Sequence, residues 1–447
     1  WLGTVAPQPP SMNVVRNVVS VYRTPLLEVS TKVMFTNTTP VSAYRGAGRP
    51  EANYYMERLI DEAAREMGID RLELRRRNHV RPSEIPWKAA SGMTFDSGDF
   101  PAVFERAVKA AEGFAARKKE SEQRGRLRGL GIGSYLEVTA PPNKEMGGVH
   151  FEGDGSVTLV TGTLDYGQGH ASPFAQVLSS RLGIPFGSVR LVQGDSDRIV
   201  FGAGTGGSRS MMMSGAAIAE VSRLILSKGQ QLAAEALEAA AADLEFSDGK
   251  FVVAGTDRAI GILELARRFP GKLDTTHVTE VVPSAFPNGC HVCEVEIDPD
   301  TGKVEVVRYS SVNDFGTVVN PLTVEGQVHG GVVQGIGQCL MEHAQFDAEG
   351  QLVTGSFMDY ALPRAEDIHA AIQWQSHPVP ATTNPLGVKG CGEAGCAGAL
   401  TSVMNAIVDA LRPLGIHHFD MPASPQRVFE AIQARRRETA GRGSGAG

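Results

Sequence analysis

The stretch SVTLVTGTLDYGQGHASPFAQVLSSRLGIPFGSVRLVQ, residues 156–193, contains two strand patterns with a helix pattern between them. "SVTLVTG" and "SVRLVQ" are rich in β-branched and apolar residues, which favour strands, whereas "PFAQVLSSRLG" predicts a helix. Pro173 suits the first turn of that helix and Gly183 suits its end. A strand, a helix and a second strand in this order predict a parallel βαβ unit. We therefore expect an α/β fold, with α+β elements elsewhere in the chain.

Other strands and helices are expected on both sides of this unit. "CHVCEVEIDPDTGKVEVVRYSSV", residues 290–312, predicts a hairpin that turns at "DPDTGK". A long Ala-rich helix is expected over about residues 211–241, and "EGQVHGGVVQGIGQCLMEH", residues 325–343, predicts a helix with glycines spaced along it. Nearer the amino terminus, Pro50 is expected to begin a helix that Gly68 ends.

The length of 447 residues is sufficient for two domains. The charged stretch "ARKKESEQRGRLRG", residues 116–129, predicts a linker between a first domain, 1–115, and a second, 130–430, although a solvated helix face explains the same charges. The last residues, 431–447, predict a flexible tail. The chain starts at Trp1, without an initiator Met and within sequence that looks folded, so we expect it to be a piece of a longer protein.

Composition limits the function classes. A formal net charge of −7 argues against nucleic acid as the main ligand. No apolar run reaches the ~18 residues of a membrane span, and no signal segment opens the chain. Five cysteines are an odd number in a large chain, so a disulfide framework is not expected and a reducing cytoplasm fits best.

Glycine-rich loops precede three of the expected helices. They are "DYGQGHAS" (165–172), "GTGGSRS" (204–210) and "GVKGCGEAG" (387–395), called here the first, second and third loop. Backbone N–H groups at a helix start lack internal partners and favour anionic or carbonyl-bearing ligands, and glycine allows the backbone to come close to them. A tight turn explains each loop alone. Three together, without a Walker lysine or a G-x-G-x-x-G pattern, predict a large cofactor.

Two features within these loops carry chemistry. In the second loop, Ser208 and Ser210 offer hydroxyls and Arg209 offers a guanidinium for a phosphate oxygen. In the third loop, Glu393 is a lone carboxylate in backbone whose ordering has a large entropic cost. A structural role for Glu393, stabilising the first turn of the following helix, is the alternative.

Five motifs occur in an order that is typical of one family. They are "AYRGAGRPE" (43–51), "DYGQGH" (165–170), "GTGGSRS" (204–210), "EGQVHGG" (325–331) and "GVKGCGEAG" (387–395). With them, the chain resembles the later half or more of the large, molybdenum-binding subunit of the xanthine dehydrogenase, aldehyde oxidase and carbon monoxide dehydrogenase family. The resemblance runs from about residue 1 to about residue 430. It implies the molybdopterin-binding domains of that subunit, with 1–115 the end of the first domain and 130–430 the second.

The resemblance also implies a function. A molybdenum hydroxylase of this family inserts oxygen from water into a C–H bond of an aldehyde or N-heteroaromatic compound. Its cofactor is molybdopterin, in bacteria usually the cytosine dinucleotide, and electrons leave through Fe–S clusters and FAD on partner chains. The expected partners are an Fe–S subunit, an FAD subunit and an N-terminal molybdopterin-binding segment or chain. The alternatives are a non-catalytic assembly or scaffold piece of such a complex and a generic nucleotide-binding enzyme, which leaves the order of the motifs unexplained.

Site residues follow from the matched motifs. Glu393 matches the catalytic base, a role that suits a carboxylate whose pKa is raised by a dry pocket. Residues that match or adjoin the cofactor contacts are Arg45, Gly46, Gln168, Gly169, His170, Gly207, Ser208, Arg209, Ser210 and Gln327, and for His170 a structural role is equally open.

Departures from the family pattern bear on the substrate. Carbon monoxide oxidisers have a cysteine directly after the arginine to hold copper, and Gly46 in this position argues against that chemistry. Purine hydroxylases have a phenylalanine two residues after the arginine, and Ala47 in this position of the substrate pocket argues against xanthine. No metal held directly by side chains is expected: Cys290 and Cys293 are three apart in a strand pattern, face opposite sides and are best explained as buried thiols.

Overall fold

The computed structural model describes residues 8–139 and 143–443, with side chains described between residues 11 and 439 of these ranges. The helices are α1 (Gln8–Asn17), α2 (Arg49–Met67), α3 (Arg71–Asn78), α4 (Phe100–Val108), α5 (Phe114–Gln123), α6 (Ala171–Leu182), α7 (Ser210–Leu237), α8 (Ile262–Arg268), α9 (Pro321–Leu340), α10 (Ala394–Leu411) and α11 (Pro425–Gly443). The strands are β1 (Trp87–Lys88), β2 (Thr94–Phe95), β3 (Leu127–Leu136), β4 (Met146–Phe151), β5 (Val157–Thr161), β6 (Val189–Val192), β7 (Leu244–Ser247), β8 (Lys250–Val253), β9 (Ala259–Gly261), β10 (Thr275–Val278), β11 (Asn288–Ile297), β12 (Val304–Asp314) and β13 (Ile372–Ser376).

The predicted βαβ unit is present. β5 and β6 pair in parallel, with Val157 opposite Val189, and α6 connects them. They belong to a sheet of order β10-β4-β5-β6, in which the other pairs are antiparallel. Phe174 and Leu178 of α6 are fully buried in one hydrophobic cluster with β5 and α7. The mixture of parallel and antiparallel pairs confirms the predicted fold class.

A second sheet carries the largest hydrophobic cluster. Its order is β13-β12-β11-β3, and β11 and β12 form the predicted antiparallel hairpin. α10 lies against β3 at close range: a Cβ on Gly131 would be 1.8 Å from the Ser402 carbonyl oxygen, so only glycine allows this approach. Side chains of α9, α10 and α11 complete the cluster.

α10 is a core helix. The segment Ala394–Leu414, which is α10 with the turn after it, is long and apolar enough to cross a membrane by length and composition. It is the one such segment in the described part of the chain, and 94% of its apolar window is buried inside the protein. Polar residues such as Thr401 and Asn405 interrupt this segment. The sequence therefore contains no continuous apolar run of that length, as expected.

The predicted linker and tail have regular structure. Within 116–129, the first residues belong to α5 and the last belong to β3. Their arginines bind acidic side chains of β11, among them Arg117 with Glu294 at 2.5 Å, so these charges attach the helix to the sheet. The division into two domains stays a prediction.

Within 431–447, residues up to Gly443 belong to α11, and the flexibility expected of this segment stays a prediction. The apolar side chains of Val428 and Ile432 are fully buried and anchor this helix, which then extends into polar sequence. Residues 444–447 lie outside the described residues.

Candidate active site

A cavity of about 600 Å³ lies where the three glycine-rich loops meet α9. Predicted site residues line it: Arg45, Gln168, His170, Gly207, Ser208, Ser210, Gln327 and Glu393. Four others, Gly46, Ala47, Gly169 and Arg209, are not among the residues that line it. Lining residues that the sequence analysis did not single out include Tyr166, Phe174, Phe315, Asn320 and Gln334, which are separated from one another in the sequence and carry no common motif.

The second and third loops are in direct contact. A Cβ on Gly390 would lie 1.8 Å from the Ser208 carbonyl oxygen, so any side chain at 390 would separate the loops. Lys389, next to it, is held by an ion pair with Asp314 at 2.6 Å in which both side chains are fully buried. The glycine at 390 therefore brings two protein loops together, whereas Gly392 has no neighbour within 3.6 Å of its Cβ position and lines the cavity.

Glu393 is the N-cap residue of α10, but its side chain makes no hydrogen bond to that helix. The Gly46 N–H donates to Oε1 at 3.1 Å. The Ser208 hydroxyl donates to Oε2 at 3.2 Å, and Arg49 Nη1 lies 3.5 Å from the same oxygen. The side chain is 15% exposed, so a carboxylate held on three sides still reaches the cavity.

Arg49 and Glu137 are functional candidates that the sequence analysis missed. Arg49 is 3% exposed and donates from Nε to the Val138 carbonyl at 2.8 Å and from Nη1 to the Gly46 carbonyl at 3.1 Å. Glu137, beside Val138, is fully buried, and burial together with the charge of Glu393 raises its pKa well above the ordinary value. Arg49 belongs to the quoted "AYRGAGRPE" motif, and the signal for Glu137 is a lone acid directly after a stretch without charged residues, 129–136.

Arg45 connects α9 to the third loop. Its Nε donates to the Gly392 carbonyl at 2.5 Å and its Nη1 donates to Gln334 Oε1 at 2.9 Å. Its Nη2 lies 3.1 Å from both the backbone and the side-chain oxygen of Gln327. Arg45 thus fixes the orientation of Gln327 at the cavity wall.

The residues that follow Arg45 form a tight turn. Gly46 has a φ of 102°, and a Cβ there would lie 2.5 Å from the Pro50 ring, so this position requires glycine. Ala47 is 8% exposed, and its carbonyl accepts a hydrogen bond from Asn13 at 3.0 Å. Ala47 is not among the residues that line the cavity, and its predicted place in a substrate pocket stays a prediction.

The N–H groups of the first loop are largely taken by one of its own side chains. Asp165 accepts hydrogen bonds from the N–H groups of Gly167 at 2.7 Å, Gly169 at 3.2 Å and His170 at 2.7 Å. Burial alone would raise the Asp165 pKa, but these three donors lower it below the ordinary value. The expectation that these donors are free for a ligand is therefore wrong, because an aspartate at the start of the loop accepts from them.

His170 fits both roles considered for it. It is 6% exposed, lines the cavity and stacks on Phe174 with ring centroids 4.9 Å apart. Burial lowers its pKa, so the ring is neutral at neutral pH. A nitrogen of Gln193 lies 3.4 Å from its Nδ1.

Arg209 binds its own loop. Its Nη2 donates to the carbonyl of Gly204 at 3.2 Å and to that of Ala203. Ser210, by contrast, lines the cavity, and its hydroxyl lies 2.9 Å from that of Thr205. The structure thus brings the serine hydroxyls to the cavity and leaves the guanidinium at the outer side of the loop.

Among the described residues, no group of three or more His, Cys, Asp or Glu side chains could hold a metal ion. Cys290 and Cys293 are fully buried, and burial raises the pKa of Cys290 to about 12. They are buried neutral thiols, as the sequence predicts.

Residues 106–369, more than half of the chain, match a family described as molybdopterin cofactor-binding domain, and residues 3–79 match a second family with the same description. The chain belongs to the molybdopterin cofactor-binding family. The chain is 34% identical over 430 residues to the 6-hydroxypseudooxynicotine dehydrogenase complex subunit gamma of Paenarthrobacter nicotinovorans. The match covers 92% of this chain and 54% of the relative. It is 32% identical over 442 residues to the carbon monoxide dehydrogenase large chain of Hydrogenophaga pseudoflava, with 92% and 54% covered.

Solved structures give the same assignment. Quinoline 2-oxidoreductase from Pseudomonas putida 86 superimposes with a TM-score of 0.86 at 31% identity, covering 95% of this chain and 57% of the other. The copper- and molybdenum-containing CO dehydrogenase superimposes with a TM-score of 0.82 at 30% identity, with 89% and 54% covered. The predicted resemblance to the molybdenum-binding large subunit is confirmed. The molybdopterin-binding chain described here spans about half the length of the relatives it matches.

The residues present fit a molybdopterin. Two amide side chains, Gln168 and Gln327, and the hydroxyl of Ser210 line the cavity and suit the donor and acceptor edges of a heterocycle. At Gly206, which also lines it, no atom lies within 4 Å of a Cβ position, so the backbone is open to a ligand. A cavity of about 600 Å³ is within the range of small-molecule sites.

Proposed function

We propose that this chain is the molybdenum-binding part of a molybdenum hydroxylase that inserts water-derived oxygen into a C–H bond of an N-heteroaromatic compound or an aldehyde. The observation that carries the proposal is the carboxylate of Glu393, held at the wall of a cavity where the family's loops meet. Two relatives are named for N-heteroaromatic compounds, quinoline 2-oxidoreductase and nicotine 6-hydroxylase, which supports that substrate class.

The cofactor in this proposal is molybdopterin cytosine dinucleotide. Gln168, Gln327 and Ser210 would hold the pterin side, and Gly207 with Arg209 would hold the phosphate. When bound, the cofactor supplies the two-electron oxidation of the substrate. Fe–S clusters and FAD on partner subunits would take the electrons, in the cytoplasm, and an N-terminal segment or chain would complete the cofactor site. Relatives named as a large subunit and as a complex subunit support a multi-subunit assembly.

Within this reaction, Glu393 acts as the general base. Its carboxylate receives the proton that leaves the attacking oxygen, and Gly46 N–H, Ser208 Oγ and Arg49 hold that carboxylate in place beforehand. Arg45 fixes Gln327 beside the third loop, since it binds both Gln327 Oε1 and the Gly392 carbonyl. His170, neutral and stacked on Phe174, forms part of the cavity wall and would pack against the cofactor or the substrate.

The test is Glu393→Gln in the complete complex. Gln keeps the size and the hydrogen-bonding shape but cannot accept the proton, so molybdenum content should stay at the wild-type level. Substrate-driven reduction in a single turnover should fall by about 10²–10⁴-fold or more, the usual contribution of a general base. Glu73→Gln, in the first turn of α3, is the control for a carboxylate at a helix start outside the cavity, where it also pairs with the exposed Arg77 at 2.8 Å. A fully loaded Glu393→Gln variant that reduces at the wild-type rate would exclude the catalytic role.

The second candidate function is a non-catalytic assembly or scaffold piece of such a complex, which relatives named as a complex subunit and as a large subunit also support. The two proposals differ in what the chain binds. A catalytic chain purified with its partners contains molybdenum and releases CMP on hydrolysis, whereas the chain expressed alone should hold little molybdenum. A scaffold piece contains neither molybdenum nor CMP in either preparation.

A further inference from the structure

Glu137 has an unusual environment for a carboxyl group. It directly follows β3, its N–H donates to the Pro287 carbonyl at 2.8 Å, and the residue is fully buried. Neither side-chain oxygen has a hydrogen-bond partner among the described residues. An ionised carboxylate without partners in such a place would have a large desolvation penalty, so the group needs an explanation.

The groups that face Glu137 come from several elements. Arg49 lies on α2, Glu393 and the Cys391 thiol lie on the third loop, and the Tyr135 phenol lies on β3. Burial raises the pKa of Cys391 to about 12 and also raises that of Tyr135 well above its ordinary value, so both are neutral. The charges that act on the Glu137 carboxyl itself are those of Arg49 and Glu393, whereas the Arg45 guanidinium acts on Cys391 and binds the Gly392 carbonyl at 2.5 Å.

One guanidinium neutralises one carboxylate. Arg49 Nη1 lies 3.5 Å from Glu393 Oε2, and its remaining hydrogen bonds go to the carbonyls of Val138 and Gly46. Glu393 is 15% exposed at the cavity, whereas Glu137 is fully buried. Burial penalises the charged form, so the fully buried Glu137 is the carboxyl group of this pair that holds a proton.

Ser208 leads to the same conclusion. It lies near the Glu137 carboxyl and lowers its pKa, but burial and the charge of Glu393 outweigh this effect and raise it. A serine hydroxyl has one proton, and Ser208 donates it to Glu393 Oε2 at 3.2 Å. Ser208 therefore cannot also donate to Glu137, but a protonated Glu137 has an O–H of its own that can be donated to this cluster.

We propose that Glu137 is a positioning residue for Glu393: a protonated carboxyl group behind Ser208 and Arg49 that keeps the buried cluster at zero net charge, so that Arg49 remains the partner of Glu393. This inference rests on the proposed role of Glu393 as the base. An ionised Glu137 would compete for Arg49 and would place a second negative charge beside the base.

The first test is the thermal midpoint of the purified complex at several pH values, compared between wild type and Glu137→Gln. A proton held by the native state but released on unfolding stabilises wild type below the ordinary carboxyl pKa, and this stabilisation is lost as the pH rises through the raised pKa. The midpoint of the Gln variant should therefore rise relative to wild type as the pH increases. If Glu137 is instead ionised and paired, the difference in thermal midpoint has the opposite sign: the Gln variant is less stable than wild type at neutral pH and equal to it in acid. That result would overturn the proposal.

Glu294→Gln is the matched control. Glu294 is also fully buried, in the neighbouring strand β11, but it is paired with Arg117 at 2.5 Å and Arg128 at 2.7 Å. Its Gln variant should lose stability at neutral pH, because it removes the carboxylate that both guanidinium groups share and leaves Arg128 with Glu296, at 2.9 Å, as its remaining ion-pair partner.

The second test is infrared spectroscopy, which does not depend on activity. The carbonyl stretch of a protonated carboxyl group should be present in wild type and in Glu393→Gln and should lose one component in Glu137→Gln. No loss in that variant would show that Glu137 is ionised.

The third test addresses positioning. In single-turnover reduction by the loaded complex, Glu137→Gln should keep the wild-type rate within a few-fold at neutral pH, since Gln remains neutral and retains a donor. Glu137→Leu, which removes the donor, should shift the pH at which the rate falls in acid. Superimposable pH profiles for all three proteins would leave Glu137 as a structural residue only and overturn the positioning role. An active Glu393→Gln would instead contradict the proposed function while leaving the first two tests unaffected.

Discussion

Ser208 and Glu393 exchange two hydrogen bonds: the Glu393 N–H donates to Ser208 Oγ at 3.0 Å, and the Ser208 hydroxyl donates to Glu393 Oε2 at 3.2 Å. The second loop therefore orients the one carboxylate of the third loop. Ser208 itself has a φ of 56°, in the left-handed region that favours glycine. A serine is thus kept where the backbone alone would favour another residue, which indicates that its hydroxyl is needed.

Ser208→Ala should lower the free energy of unfolding by about 1–2 kcal/mol, because it removes both hydrogen bonds and keeps the left-handed backbone. Ser208→Gly is the matched variant: it removes the same hydrogen bonds but relieves the strain, so it should be more stable than the Ala variant by about 1 kcal/mol. Denaturant unfolding measures both. A glycine variant less stable than the alanine variant would mean that the backbone strain is negligible.

Gly390→Ala should weaken the contact between the second and third loops. Its Cβ would lie 1.8 Å from the Ser208 carbonyl oxygen, so the backbone must move, and we expect a loss of several kcal/mol of stability. Gly206→Ala in the second loop is the control, because no atom lies within 4 Å of that Cβ position. Thermal unfolding of both variants should show a large loss for the first and a small change for the second, and equal losses would contradict the close approach.

Arg209→Ala should reduce molybdenum occupancy and leave activity per molybdenum near wild type. A guanidinium on a phosphate oxygen contributes roughly 1.5–3 kcal/mol, and Arg209 also ties the loop through the Gly204 carbonyl. Arg223→Ala, on the exposed face of α7 with an ion pair to Glu220 at 2.7 Å, is the control and should leave occupancy unchanged. Full occupancy with lost turnover would place Arg209 at the reacting centre.

Glu145→Gln should make the free energy of unfolding less dependent on pH. Burial raises the pKa of Glu145 to about 7, although the N–H groups of Met146 and Gly162 lower it. Relative to the Gln variant, wild type should therefore lose stability as the pH rises from the ordinary carboxyl pKa through 7, by about 3 kcal/mol in total. Gln keeps a carbonyl oxygen for both donors. Parallel pH profiles of the unfolding free energy would show that Glu145 titrates normally.

Local patterns account for much of the fold that the sequence predicts. The helix expected to start at Pro50 and end at Gly68 is α2, Arg49–Met67, because proline and glycine mark helix ends through their own backbone preferences. The hairpin of β11 and β12 follows in the same way from alternation and a turn sequence. Each of these signals lies within one segment.

The missed features depend on contacts between distant segments. Gly46 donates to Glu393 across 347 positions of the chain, and only the family motifs, not the local pattern, indicate that the two meet. The role proposed for Glu137 could not be predicted from the sequence, because it depends on the burial of the carboxyl group and on its proximity to Arg49. The hydrogen bonds of Asp165 to its own loop were predictable in type, since aspartate commonly accepts from N–H groups just after it, but were not considered.

The burial of α10 has a consequence for the order in which parts of the protein unfold. Nearly all of its residues are buried, so its amide protons should exchange with solvent only when the whole core unfolds. Glu393 begins this helix, whereas Phe357 and Met358 lie on a segment without helix or strand and are 81% and 94% exposed. Warming or mild denaturant should therefore open the segment around residues 357–358 long before the carboxylate moves, and deuterium uptake resolved by segment should show two well-separated rates. Glu393, the proton acceptor of the proposed reaction, would then keep its position in molecules in which the segment around residues 357–358 has already unfolded. It would lose that position only at the slow rate of global unfolding.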